Sequence, residues 1–204
     1  MAFLLNDDGV FECRKSEQGE NAGLGVYSVQ DVKAGTILPY YGITIKDEDE
    51  TEEEKLDKEN YRTYVIAADY TTVHGNQRTA KDLSVDGDPR LPQMNNLETF
   101  KTLACRTNEA IEGCLPNCLL ATNPNISRAD IKRSLLKKVP IPVSYIVVIE
   151  DLPRGAELLT CYGDDYGERR TYSPRKMNRR TFRELIDRAY GHVDALPKKS
   201  NFYT

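Results

Sequence analysis

Four short stretches of this chain carry residue types that chemistry can use. Ala22-Gly23-Leu24-Gly25-Val26 sets a G-x-G at the entry to a β-type run. Backbone without side chains can be laid close against a ligand, and it serves equally well for a strained turn. Ser84-Val85-Asp86-Gly87 ends a strand in a turn. Arg106-Thr107-Asn108-Glu109 precedes Cys114-Leu115-Pro116-Asn117-Cys118, polar backbone between apolar flanks, for which an Asn-capped loop is the plain reading. Gly155-Ala156-Glu157-Leu158 leads to Tyr162-Gly163-Asp164-Asp165-Tyr166, with a tyrosine at a strand end beside glycine. Such a tyrosine commonly packs at a sheet edge with its hydroxyl satisfied.

Standard catalytic constellations are missing. The two histidines, His74 and His192, read as ordinary surface groups, and G-x-S-x-G, Walker and G-x-G-x-x-G motifs are absent. Five cysteines (Cys13, Cys105, Cys114, Cys118, Cys161) are odd in number and contain no C-x-x-C pair. That favours a reducing, intracellular setting over a disulfide framework. Cys114-x-x-x-Cys118 has metal-like spacing, but no second pair completes a four-ligand set, so buried thiols are expected rather than a metal site.

The elements that must position these residues are short strands. The chain has 204 residues, 39% hydrophobic and 29% charged, with 13 Gly and 10 Pro. That composition suits one globular domain plus an extension and excludes disorder and collagen. The apolar start lacks the basic first residues and long core of a secretory signal, and no run approaches a membrane span. Val26–Val29 and Thr36–Tyr41 read as strands, and the run from Pro140 to Ile149 as the clearest buried strand. The phrase at 29–38 resembles that at 149–158, which reads as two hairpins using the same turn chemistry. The net charge of −4 hides a polarised chain. Residues 47–59 carry nine acids against two lysines, and residues 168–204 ten bases against four acids. Within the latter, Phe182, Leu185, Ile186 and Ala189 at helical spacing predict an amphipathic helix near 178–190, stopping before Gly191. The fold class predicted is mainly β with few helices and a C-terminal helix.

Taken in order, G-x-G, then V-D-G, then an Asn ahead of C-x-P-N, then G-x-E-L-x-x-x-Y-G resembles the SET-domain family of protein lysine methyltransferases. The resemblance spans roughly residues 20–167. It implies a β-clip of short sheets with a C-terminal pseudoknot around Cys114, Pro116 and Asn117. It implies a SET domain over 1–167, with a variable insert at 44–84 holding the acidic segment, and a basic extension over 168–204. It assigns S-adenosylmethionine to Gly23, Leu24, Gly25, Asn108 and Glu109, the catalytic role to Tyr162, and the substrate pocket to Tyr40, Thr160 and Tyr166. No metal follows, since the post-SET cysteine cluster is missing.

Two positions depart from the family pattern. Five residues rather than two separate Asn108 from Cys114, and Glu109 stands where His is usual, a form that resembles divergent members reading Asn-Glu…Gly. Thr160 replaces the aromatic residue that tunes methylation, so the number of methyls does not follow. The activity implied is transfer of a methyl group to a lysine of a basic protein such as a histone, with nuclear residence. The alternatives are a catalytically inactive binding module of the same fold, or a protein that uses its basic tail on chromatin or nucleic acid. The acidic 47–59 segment is expected to steer a basic substrate or to form a solvated surface. Neither the target lysine nor the oligomeric state is encoded in any motif.

Overall fold

A computed structural model describes residues 3–4, 9–18, 22–46, 65–72, 74–97, 99–111, 114–162 and 178–196. The acidic 47–59 segment, residues 163–177 with Tyr166, and residues 197–204 lie outside them. Among the described residues the chain forms ten strands and two α-helices, in several small sheets. No helix there is long and apolar enough to cross a membrane.

The strands are β1 (Phe3–Leu4), β2 (Phe11–Lys15), β3 (Leu24–Ser28), β4 (Thr36–Lys46), β5 (Val65–Thr71), β6 (Gln77–Asp86), β7 (Asn108–Glu109), β8 (Cys118–Thr122), β9 (Ile141–Val148) and β10 (Leu159–Thr160). One sheet runs β5-β6-β4-β9-β8, with β1 parallel beside β4. Antiparallel β2-β3 and parallel β7-β10 form two smaller pairs. The run around Pro140–Ile149 becomes β9, buried at seven of its eight positions. A strand covered on both faces reads as a continuous β-branched run rather than an alternation.

Two compact units partition the chain. Of the described residues, one holds those within 1–38, 106–121 and 145–196, and the other those within 39–105 and 122–144. In the first, Ile37, Leu119, Ala121, Tyr145, Val147 and Ile149 form a buried cluster with Ala189, Val193 and Leu196. The last three come from helix α2 (Arg179–Asp194) and its exit. The predicted stop before Gly191 is corrected: the helix continues through it. A mid-helix glycine costs only about 1 kcal/mol, and burial of Val193 and Leu196 beyond it offsets that. In the second unit, helix α1 (Arg128–Lys137) starts at a capping box between Ser127 and Asp130 and buries Ile131 and Ser134. The Ser134 hydroxyl accepts from the Thr44 amide and donates to the Val139 carbonyl.

The repeated phrase does not make two separate hairpins. Its two copies pair with each other inside the first unit, as an approximate two-fold. Val32 and Leu152 exchange both backbone hydrogen bonds, at 2.8 Å each. Asp31 accepts from the Arg154 amide and Asp151 from the Ala34 amide, both at 2.9 Å. The Gly35 amide donates to the Val148 carbonyl, and the Gly155 amide to the Ser28 carbonyl. Both glycines adopt left-handed backbone, with φ of +86° and +85°, the conformation this turn requires.

The two glycines differ in what surrounds them. Space around Gly155 is open, whereas a Cβ on Gly35 would sit 2.7 Å from the His192 ring. Gly155→Ala is therefore expected to lose about 1 kcal/mol of stability, the strain of a left-handed alanine. Gly35→Ala should lose roughly 2–4 kcal/mol, strain plus overpacking. Adding His192→Ala to Gly35→Ala should return part of that excess. Equal denaturation midpoints for the two alanine variants would show that His192 does not press on this turn.

Candidate functional site

The G-x-G hairpin is built for close approach on one side only. The Ser16 amide donates to the Gly23 carbonyl at 2.9 Å, closing β2 onto β3. Gly23 has φ +66° with nothing near its missing Cβ, so it supplies a turn beside open space. Leu24, half exposed, projects next to it. Gly25 is glycine for another reason. A Cβ there would collide with the Glu157 carboxylate and come within 3.1 Å of the Asn108 amide nitrogen. The second glycine makes room for a buried acid.

Glu157 is 8% exposed. It accepts from the Ser16 hydroxyl (2.7 Å), the Tyr27 hydroxyl (2.8 Å), the Asn108 side-chain amide (3.0 Å) and the Glu17 backbone amide (3.2 Å). Tyr27 is fully buried, and the Arg14 guanidinium lies 3.8 Å over its ring. Burial, then the hydrogen bond to Glu157, push the Tyr27 phenol up to about 12. It therefore remains a donor throughout the physiological range. Glu157 stands inside the Gly-Ala-Glu-Leu stretch, yet the sequence alone does not single it out as a site residue. The available signal was its place two residues after a turn glycine.

Beyond Glu157 the chain threads between two segments. Asn117 grips it with both ends of its amide, donating to the Glu157 carbonyl (2.7 Å) and accepting from the Leu159 amide (2.9 Å). The Asn117 backbone amide donates to the Leu159 carbonyl. On the opposite edge β10 pairs with β7, Leu159 with Asn108 and Thr160 with Glu109, and the Ala110 amide donates to the Thr160 carbonyl. Asn117 is thus a clamp on this crossing.

Asn108 and Glu109 then reach in two directions. The Asn108 amide nitrogen donates to the Leu24 carbonyl at 3.2 Å as well as to Glu157. The Glu109 carboxylate, 5% exposed, accepts from the Tyr162 backbone amide at 3.0 Å. The Tyr162 hydroxyl donates to the Thr107 carbonyl at 2.8 Å. Around them the buried hydroxyls of Thr107 and Thr160 have no protein hydrogen-bond partner. Buried polar groups are normally satisfied, so these two hydroxyls, one next in sequence to Asn108 and one on the strand partner of Glu109, are exceptions.

The first unit therefore assembles Gly23, Leu24, Gly25, Asn108, Glu109, Thr160 and Tyr162. Tyr40 belongs to the second unit, and Tyr166 lies outside the described residues. In the second unit Tyr40 is buried and its ring occupies the space a Cβ on Gly87 would take, 2.6–2.8 Å away. Gly42 in turn lies against Val85 and the Asp86 backbone. The Tyr-Tyr-Gly and Val-Asp-Gly motifs are glycine-for-side-chain packing partners, a relation neither stretch reveals alone. His192 is half-buried against Gly35 rather than a plain surface group. Burial pushes the Cys118 thiol far up, so it serves as apolar packing.

No family model and no curated protein matches this sequence. Among solved structures, the chain is similar to a Plasmodium falciparum protein assigned as a histone methyltransferase. The identity is 16%, covering 77% of this chain and 96% of that one, with a TM-score of 0.40. It is also similar to the Neurospora SET domain protein DIM-5, a histone lysine methyltransferase, at 16% identity and a TM-score of 0.43. That alignment covers 82% of this chain and 55% of the other.

Asp86 offers a test of the Val-Asp-Gly corner. It is buried and accepts from the Asp88 amide at 2.8 Å. Desolvation raises its carboxyl above the ordinary value; the hydrogen bond opposes this, the Asp88 charge adds to it and Arg90 relieves it. The native state thus holds this proton more tightly than the unfolded chain. The stabilisation is fully present below the unfolded value, roughly pH 4, and is lost as pH rises through the folded value. Asp86→Asn keeps an acceptor for Asp88 and should gain on the wild type as pH rises above about 4. Denaturant midpoints whose difference stays constant from below about pH 4 upward would contradict this account.

Proposed function

We propose that the chain is an S-adenosylmethionine-dependent protein lysine N-methyltransferase, acting on a basic tail of the histone type. One observation carries the reading. Two consecutive residues, Asn108 and Glu109, tie the G-x-G hairpin to the tyrosine, the first through the Leu24 carbonyl and the second through the Tyr162 amide. A methyl transferase of this kind must hold a cofactor and an amine in line, and here their proposed supports are one covalent step apart.

The residues present fit the cofactor. Gly23 offers backbone beside open space, Leu24 an exposed side chain, Asn108 a side-chain carbonyl, and Thr107 and Thr160 hydroxyls that lack protein partners. When bound, S-adenosylmethionine supplies an activated methyl group on a sulfonium. The chain's own part is alignment, which is worth roughly 7–11 kcal/mol in well-oriented systems. A free lysine is almost fully protonated at neutral pH, so an apolar, aromatic-lined pocket is needed to favour the amine. The Tyr162 hydroxyl spends its proton on the Thr107 carbonyl. Its oxygen consequently meets an incoming amine as an acceptor, orienting an N–H without taking a proton. This is why no histidine and no metal is required.

The substrate class rests on the nine acids of 47–59, which favour encounter with a basic peptide. Nuclear residence follows from that class. The reading through a nucleic-acid tail is weaker. The outer face of α2 mixes Arg179, Arg180, Arg183 and Arg188 with Glu184, Asp187 and Asp194, and Arg180 is paired to Glu184 at 3.0 Å. Phosphate binding favours a face of one sign.

Incubation with labelled cofactor and a histone panel tests the proposal. Methyl transfer is expected. Tyr162→Phe should lower kcat by roughly 100-fold while leaving the cofactor dissociation constant nearly unchanged. Absence of both transfer and calorimetric cofactor binding would sink the enzyme reading. Transfer indifferent to Tyr162→Phe would remove that residue from the chemistry.

A further inference from the structure

We propose that Glu157 is a positioning residue that fixes the polarity of Asn108, and so sets which kind of ligand group the G-x-G side of the site accepts. The inference deepens the cofactor reading above and rests on it. A side-chain amide can face either way by rotating half a turn, and its two ends have opposite hydrogen-bonding sense. In this chain one orientation is ruled out. The amide nitrogen of Asn108 lies 3.0 Å from the Glu157 carboxylate and 3.2 Å from the Leu24 carbonyl. Both neighbours are acceptors only. Turning the amide over would set its oxygen against a carboxylate and a carbonyl together, with both N–H groups deprived of partners. Asn108 Oδ1 is thereby held outward as an acceptor, and the ligand group that meets it must be an N–H or O–H donor.

Glu157 can do this because its own position is over-determined. Oε1 takes the Ser16 hydroxyl and Asn108; Oε2 takes the Tyr27 hydroxyl and the Glu17 amide. On the remaining side the carboxylate lies against the bare backbone of Gly25. Hydrogen bonds to an ionised acceptor are shorter and stronger than neutral ones. Among the described residues no Lys, Arg or His nitrogen lies within 4.0 Å of it. The carboxylate is therefore spent wholly on neutral donors, and one of these belongs to the proposed cofactor site.

The two oxygens separate positioning from plain structure. Glu157→Gln keeps shape but can present N–H to Asn108, which frees the amide to turn. Tyr27→Phe removes a bond of similar strength from the other oxygen and leaves Asn108 held. Calorimetry with S-adenosylmethionine is expected to show about a tenfold rise in Kd for Glu157→Gln. For Tyr27→Phe it should show a lowered denaturation midpoint with Kd within about twofold of wild type. In an Asn108→Ala background, Glu157→Gln should add no further loss of affinity. Equal losses for both variants, or full additivity with Asn108→Ala, would overturn the proposal. A readout without ligand completes the test. In the nitrogen-15 spectrum of the free protein the Asn108 side-chain NH2 pair is expected to exchange slowly, and rapidly in Glu157→Gln. Rapid exchange in the wild type overturns the proposal whatever binds. Slow exchange with no cofactor uptake leaves the positioning role standing and overturns the methyltransferase reading instead.

Discussion

A carboxylate buried at 8% exposure has to be satisfied or neutralised, and the first unit is arranged around satisfying Glu157. Leaving such a group unpaired costs more than a neutral one would, upward of 1–3 kcal/mol. Its four donors come from the residues just after β2, from β3 and from β7, segments 49 to 141 residues away in sequence. Folding those segments in any other register would strand the charge. The same contact explains Gly25, Ser16 and the fully buried Tyr27, each of which looks unremarkable in its own neighbourhood. A single buried charge thereby specifies the mutual placement of three short strands that have little apolar surface to specify it themselves. Two-residue strands such as β7 and β10 bury too little to choose a register by packing alone.

The paired turns at 28–35 and 148–155 act on a larger scale. Each hands a strand onward, β3 to β4 and β9 to the segment leading to β10. Because the turns bond to each other, the two hand-overs are locked together. Asp31 and Asp151 each cap the opposite copy, and Lys33 adds an ion pair to Asp151 at 2.6 Å. That pair is exposed, so its contribution is small. It raises the Lys33 amine and lowers the Asp151 carboxyl, and the backbone bonds carry the join. Duplicated turn chemistry used against itself turns a weak local motif into a long-range connection.

Legibility in the sequence divides along this line between local and distant. Strand β9 was readable because its burial is written in eight consecutive residues, and α2 because its apolar stripe recurs at helical spacing. The mainly β class followed from such runs. The site motifs were readable as types: a G-x-G, an Asn-Glu, a tyrosine at a strand end. What the residues of those motifs do to one another was not. Gly25 serves Glu157, Gly87 serves Tyr40, and Gly35 is pressed by His192, yet a missing side chain says nothing about which neighbour fills its place. Helix α1 is hard to read although Ser127 and Asp130 spell its capping box, since its buried face is only Ile131 and Ser134 and no apolar stripe announces it. Helix α2 outran its predicted end because tertiary burial of Val193 and Leu196 outweighs the local preference of Gly191 to stop a helix.

Glu109, one of the two positions that differ from the pattern the sequence resembles, is best understood in the same terms. A residue at 109 has a strand partner on one side, Thr160, and the amide that leads to the tyrosine on the other. Any acceptor of suitable length placed there can hold Tyr162 by its backbone, and a carboxylate does so with a charge-assisted bond. The tyrosine hydroxyl needs no help from position 109, because it finds the Thr107 carbonyl. Glu109 thus grips the main chain and leaves the side chain to a second anchor two residues earlier in sequence. For a reaction proposed to depend on alignment rather than proton transfer, a glutamate at 109 preserves what matters, the place of the phenol oxygen. It gives up only what the proposed chemistry does not use, a titrating imidazole.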